Sequence, residues 1–331
     1  MNRRKFIALG CGAAFLPASF RAWAQQRPPF RIGTLNPTFV EYAWAQSALP
    51  WLAEFDLMEG RDFRTEARWA AGRDEELPEL AAELVRLKVD LIVTQGGRAI
   101  RAAKQATSDV PIVMIADGDP VADGLVQSLA RPGGNLTGIA LPAADLLRMR
   151  LELLKELLPA LTRVGLMVNP DDAEREGDLK TIAIAAAQLG LKSQILPVRS
   201  VKDFEPALAL ARGADCGGIM VLPDRTIWGH IGRVQDLATA ARMPMIYPYR
   251  SYVGGVNNQG LMSYGPAPIE IGRRAASYIH RIMRGAMPGE LPIEPPASFE
   301  LFINLRVAHA IGIAVPESLL TRADRVIELA R

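Results

Sequence analysis

Thr94-Gln95-Gly96-Gly97 is the stretch of this 331-residue chain whose residue types best suit ligand chemistry. It ends the apolar run Asp90 to Thr94 and opens a stretch, Arg98 to Thr107, with apolar residues at Ile100, Ala103 and Ala106. Strand, glycine turn and helix leave free N–H groups at a helix N-terminus, which favours an anionic group. The Thr94 hydroxyl would add a donor. The same glycines also suit an ordinary turn that needs positive φ. A second polar turn, Asp117-Gly118-Asp119-Pro120, ends the run Pro111 to Ala116. Asp117 and Asp119 suit pairing with an ammonium group, and Asp119 equally suits capping a turn. Asn36 and Asn169 each precede a proline at the end of an expected strand, and Asp224 follows the expected strand Gly218 to Leu222. Aromatics are only 6% of the chain, yet Phe39, Trp44, Trp228, Tyr249, Tyr252 and Tyr264 lie in or near strand-end loops. There they could sandwich an aromatic or apolar ligand, or belong to the core.

Catalytic patterns are missing from this sequence. His230, His280 and His309 fall in separate expected helices without the spacing of metal ligands, so no metal or cofactor is expected. There is no G-x-S-x-G elbow, no phosphate-binding P-loop and no G-x-G-x-x-G after the first strand. Binding, rather than catalysis, is the expected use of the turns described above.

The elements that must position these residues recur in two series. Arg31 to Pro37 reads as strand and turn, and Arg163 to Pro170 repeats it down to the Asn-Pro. Each is followed by a helical stretch, Glu41 to Phe55 and Glu174 to Leu189, and by a second strand, Phe63 to Trp69 and Lys192 to Val198. The next helices are Glu75 to Leu87 and Phe204 to Ala211. Strands Asp90 to Thr94 and Gly218 to Leu222 follow, then Pro111 to Ala116 and Met243 to Tyr247 after one more helix. This alternation predicts an α/β protein of two similar doubly wound parallel-sheet lobes. Ligands of open parallel sheets bind at the carboxyl ends of the strands, where both polar turns lie. Arg131 to Pro142, rich in glycine and proline, reads as the bridge between lobes. A strand at Gly260 to Pro266, a helix at Ile269 to Met283, a strand at Ser298 to Asn304 and a short helix at Arg306 to Ile311 complete the chain. The expected division is 28–138 plus about 263–297 for the first lobe and 139–262 plus about 298–331 for the second.

The N-terminus reads as an address. Arg3-Arg4-Lys5 precedes an apolar run, Ile7 to Leu16, and Ala22-Trp23-Ala24 offers a cleavage site before Gln25. This is a secretory signal with a twin-arginine look, spanning 1–24. At about ten residues the run is too short to span a bilayer. Losing Arg3, Arg4, Lys5 and Arg21 moves the formal charge from +2 to −2, which leaves no basic footprint for nucleic acid. Only one of the two cysteines, Cys216, lies beyond the signal, so no intramolecular disulfide is expected.

Several stretches together resemble one family. RIGTLNP, VDLIVTQGG, VPIVMIADGDPV, LARPGGNLTGI, LMVNPDD, GLMSYGP and FELFINLRVAHAIGIAVPESLL are similar to the ABC-transporter substrate-binding proteins of the tryptophan/tyrosine-binding type. The resemblance covers nearly the whole chain beyond the signal. It departs from the family pattern at Leu49 to Leu57 and around Gly255 to Asn258. It implies a type I periplasmic-binding fold, with two lobes, a multi-segment hinge and a small carboxylate-bearing ligand in the cleft, plausibly an aromatic amino acid or aromatic acid. It also implies a periplasmic monomer without a membrane span that delivers to a membrane permease. The alternatives are a binding protein feeding a signalling partner and an exported α/β enzyme.

Overall fold

The computed structural model describes residues 28–37, 47–172, 175–254 and 259–328. The signal at 1–24 and the candidates Phe39 and Trp44 lie outside them. Five strands form the first sheet: β1 (Phe30–Asn36), β2 (Phe63–Trp69), β3 (Leu91–Gln95), β4 (Ile112–Asp117) and β5 (Leu136–Leu141). They are all parallel, in the order β2-β1-β3-β4-β5. Helices α1 (Leu77–Arg86) and α2 (Gly97–Ala106) pack on one face with Leu35, Ile92 and Met114.

The second sheet has seven described strands: β6 (Arg163–Val168), β7 (Lys192–Pro197), β8 (Gly218–Val221), β9 (Met245–Tyr247), β10 (Met262–Pro266), β11 (Phe299–Asn304) and β12 (Arg325–Ile327). Read from its other edge, its order is β7-β6-β8-β9-β10-β11-β12, which repeats the first sheet and adds two strands. Only the β10–β11 pairing is antiparallel. The helices beyond the first sheet are α3 (Ala143–Leu157), α4 (Arg175–Gln188), α5 (Phe204–Gly213), α6 (Arg225–Gly229), α7 (Ile231–Ala240) and α8 (Ser251–Gly254). After them come α9 (Pro268–Met283), α10 (Leu305–Ile311) and α11 (Glu317–Arg322).

Helices cover both faces of each sheet. That is why the strands read as continuous apolar runs instead of alternating ones. Val93, Val113 and Ile115 on one face, and Ile92 and Met114 on the other, are all buried. Helix α9 follows a strand of the second sheet yet packs Ile271, Ala275 and Ile279 on the first. The chain therefore crosses between lobes three times: at Pro142, at Ala267, and between Glu294, which bridges to Ile139, and β11.

The FINL stretch shows how local chemistry sets such an end. Asn304 closes β11, and its Oδ1 accepts from the Arg306 and Val307 amides to start α10. Gly312, at φ 79°, stops that helix.

Three expectations change. The Arg131–Pro142 bridge contains β5, a full strand of the first sheet, so the sheets divide at Pro142 rather than 138 and at Ala267 rather than 262. Of the helix expected over Glu41–Phe55, residues 41–46 lie outside the described residues and Ser47 is helical; the C-terminal part differs, Leu49–Phe55 forming a 3-10 turn with a proline in its first turn and Asp56 left-handed at φ 58°. Likewise α1 starts at Leu77 after a 3-10 turn at Asp74–Glu76, because Pro78 suits a first helical turn.

Gly138 explains how a glycine-rich stretch can be a central part of a ladder. It sits at φ 138°, and a Cβ there would lie 2.1 Å from the Met114 carbonyl oxygen of β4. Relief would require parting β4 from β5. Gly138→Ala is therefore expected to lower the unfolding free energy by about 3 kcal/mol or more, measured by urea denaturation.

Candidate functional site

In a parallel sheet all carboxyl ends share one edge, and here the two such edges face each other. Asp74 follows β2, and Arg98 stands in the first turn of α2 after β3; both belong to the first lobe. Asp172 follows β6, and Arg225 opens α6 after β8; both belong to the second. Arg98 Nη1 lies 2.6 Å from Asp74 Oδ2, and its Nη2 lies 3.1 Å from Asp172 Oδ1. Arg225 holds Asp74 with both terminal nitrogens, Nη2 at 2.8 Å. Burial pushes the Asp74 carboxyl up, but Arg225 and Arg98 together outweigh it and hold the carboxyl below its usual range.

Toward the hinge, a small pocket open to solvent is lined by Leu141, Ala143, Leu146, Leu147, Arg150, Arg175, Asp178, Pro223 and Tyr249. It draws on β5 and the crossing after it, on α3 and α4, and on the turns after β8 and β9. Arg150 is 4% exposed, although it sits in the leucine-rich α3. Its Nε donates to the Tyr264 carbonyl at 2.8 Å and its Nη2 to the Pro248 carbonyl at 3.2 Å. Arg175 Nη1 holds Asp178 at 2.6 Å, and its Nε reaches Asp172 at 3.4 Å. Burial raises the Asp178 carboxyl above its usual range, and the nearby Arg175 and Arg150 offset this only in part. The pocket thus brings both signs of charge together beside an aromatic ring and an apolar wall.

The residues singled out from sequence are distributed unevenly around this site. Tyr249 lines the pocket. Asp224 adjoins Pro223 and caps α6, its Oδ1 accepting from Ile227 N at 2.9 Å; burial raises its carboxyl. Asn36 is buried at the end of β1, where its Nδ2 donates to Thr34 and to the Arg68 carbonyl. Its Oδ1 accepts nothing among the described residues.

The anion turn is corrected in two donors. The Thr94 hydroxyl donates to the Leu35 carbonyl at 2.9 Å, and the Gly96 amide donates to Ile115 of β4 at 3.1 Å, so the sheet uses both. Gly96, at φ 76°, precedes α2, and Gly97 is its first residue; Gln95 ends β3 half-buried. Asp117 ends β4, paired with Leu141. Asp119 is exposed and caps its own turn, its Oδ1 accepting from the Val121 and Ala122 amides, which is the capping alternative for this residue. Asn169 is likewise engaged locally, by the Asp171 amide. Tyr264 packs between the cores of both lobes. Tyr252 is a core residue, stacked on Tyr247.

Sequence reading missed Arg150, Arg175, Asp178 and the ion pairs of Asp74, Arg98, Asp172 and Arg225. The strand-end positions of the last four were the available signal.

The family model described as ABC transporter substrate binding protein matches residues 45–327. The chain belongs to that family. It is the family inferred from the sequence. A curated relative named tyrosine-binding protein, from Clostridioides difficile (strain R20291), is 27% identical over 236 residues, which are 71% of this chain and 66% of that protein. The chain thus matches slightly less than two thirds of that relative. A conserved domain protein of Vibrio cholerae is 26% identical, with a TM-score of 0.81 over 90% of this chain and 100% of that one. A Streptococcus pneumoniae ABC domain in complex with L-Trp has a TM-score of 0.78 at 23% identity, over 91% of this chain and 100% of that one.

Arg150 generates a direct test of how the pocket is held. Its replacement by methionine leaves two backbone carbonyls without a cationic donor and removes a positive charge near Asp178. Arg150→Met is expected to lower the unfolding free energy by about 2–4 kcal/mol, read from urea denaturation.

Proposed function

We propose that this chain is the solute receptor of an ABC importer, exported to the periplasm as a monomer. It takes an aromatic amino acid or aromatic acid into the cleft and presents the closed form to a membrane permease. The observation that carries the reading is the hinge-side pocket: Arg175, Arg150 and Asp178 offer both charges beside Tyr249 and an apolar wall. A free α-amino acid needs that combination, because its carboxylate and ammonium must both be paired once water is excluded. The name of the tyrosine-binding relative and the L-Trp complex support an aromatic side chain. The Asn36, Gly97 and Asp224 strand-end positions complete the proposed cleft lining.

Calorimetry on the exported protein with L-tyrosine and L-tryptophan, against L-alanine and benzoate, tests this. At about 100 times its Kd a bound ligand should add roughly 2.7 kcal/mol of stability, visible as a rise in melting temperature. Tyr249→Ala should weaken binding by about 1–3 kcal/mol; because the ring also packs against Tyr252 and the second-lobe core, the melting temperature of the ligand-free protein should fall too, and affinity in the folded protein is the readout. Binding unchanged in that variant removes Tyr249 from the site, and no response to any of the aromatic probes removes the ligand class.

Export gives a separate test. Changing Arg3 and Arg4 together to lysine should leave precursor in the cytoplasm, because the pair is the read address of the twin-arginine route. Normal export of that form would indicate the general secretory route, and an N-terminus away from Gln25 would revise the cleavage site.

A further inference from the structure

Among the described residues, the ion pairs Arg225–Asp74 and Arg98–Asp172 cross between the lobes, and Arg98 also joins Asp74 within the first lobe. None of the four residues lies in a crossing segment. Each pair therefore requires the strand-end loops of the two lobes to be drawn together. Asp74 is the hub, its side chain 14% exposed and held by two guanidiniums, one from each lobe. The chain of charges also runs inward, since Asp172 meets Arg175, which holds Asp178 in the pocket wall.

We propose that Asp74, Arg98, Asp172 and Arg225 form an electrostatic latch that stabilises the closed arrangement of the lobes, so that ligand affinity is set in part by residues that need not touch the ligand. A state that is only fractionally populated weakens apparent affinity by that fraction. Residues that raise the closed fraction therefore tighten binding of any ligand that requires closure. The guanidiniums are 41% and 45% exposed, so each pair is weak and responds to salt. Weak pairs also suit a receptor that must reopen to release its cargo. The inference rests on reading the chain as a closing receptor, but it can be tested without ligand.

Nitroxide labels at Gln105→Cys on α2 and Gln188→Cys on α4, both exposed positions, report the distance between lobes by double electron–electron resonance. In the ligand-free exported protein, Asp74→Asn and Arg225→Gln should each move population from the short to the long distance. The closed-to-open ratio should fall about 3- to 10-fold, and about 0.5 M NaCl should act in the same direction. The double variant should open little further than the stronger single variant, because both remove one interaction. A merely structural role would lower the melting temperature without changing the distances. Distance distributions identical to wild type in both single variants would overturn the latch. L-tyrosine calorimetry on the same samples keeps the two readings apart. Shifted distances without L-tyrosine binding leave the latch standing and count against the ligand, whereas binding without shifted distances does the reverse.

Discussion

Parallel pairing is the constraint on which the rest depends. Every strand of a parallel sheet ends at the same edge, so turns of distant sequence are gathered there whatever else the chain does. Asp74, Arg98, Asp172 and Arg225 are far apart in sequence, yet each follows a strand, and each is delivered to one of two facing edges. The core fixes the strands, and the strands fix where charge can collect. Substitution in the loops can therefore change chemistry without touching the ladder, whereas Gly138, inside it, has no room for a methyl group.

The sequence was legible where local pattern and tertiary role coincide. The Asn-Pro turns after β1 and β6, and the apolar runs of β3 and β4, follow from double-sided burial. Strand β5 was hidden because its neighbours, Pro132, Gly133 and Gly134, carry turn signals, and because Gly138 belongs to a close approach that only the fold reveals. The anion turn was read correctly as a glycine turn after a strand, but not in its donors. Whether the Gly96 amide faces a ligand or β4 depends on the neighbouring strand, which spacing within one segment does not encode. Arg150 was the hardest to see. On a leucine-rich helix an arginine reads as a solvated face, and its burial depends on carbonyls about a hundred residues away.

Of the carboxylates along this chain of charges, Asp74 and Asp178 differ in a way that bears on function. Asp74 is held below its usual range because Arg225 and Arg98 outweigh its burial. Asp178 is shifted upward because burial dominates and the nearby Arg175 and Arg150 do not fully offset it. A carboxylate already well matched gains little from another cation. One whose desolvation is only partly offset gains more from a cation arriving in the same low-dielectric surroundings. On the proposed reading, Asp178 is thus the side chain of this network best placed to reward a ligand ammonium, and Asp74 the one best placed to hold the lobes. The division follows from pairing rather than exposure: the Asp74 and Asp178 side chains are about equally exposed, 14% and 17%, but two guanidiniums outweigh desolvation at Asp74, whereas desolvation outweighs the nearby cations at Asp178.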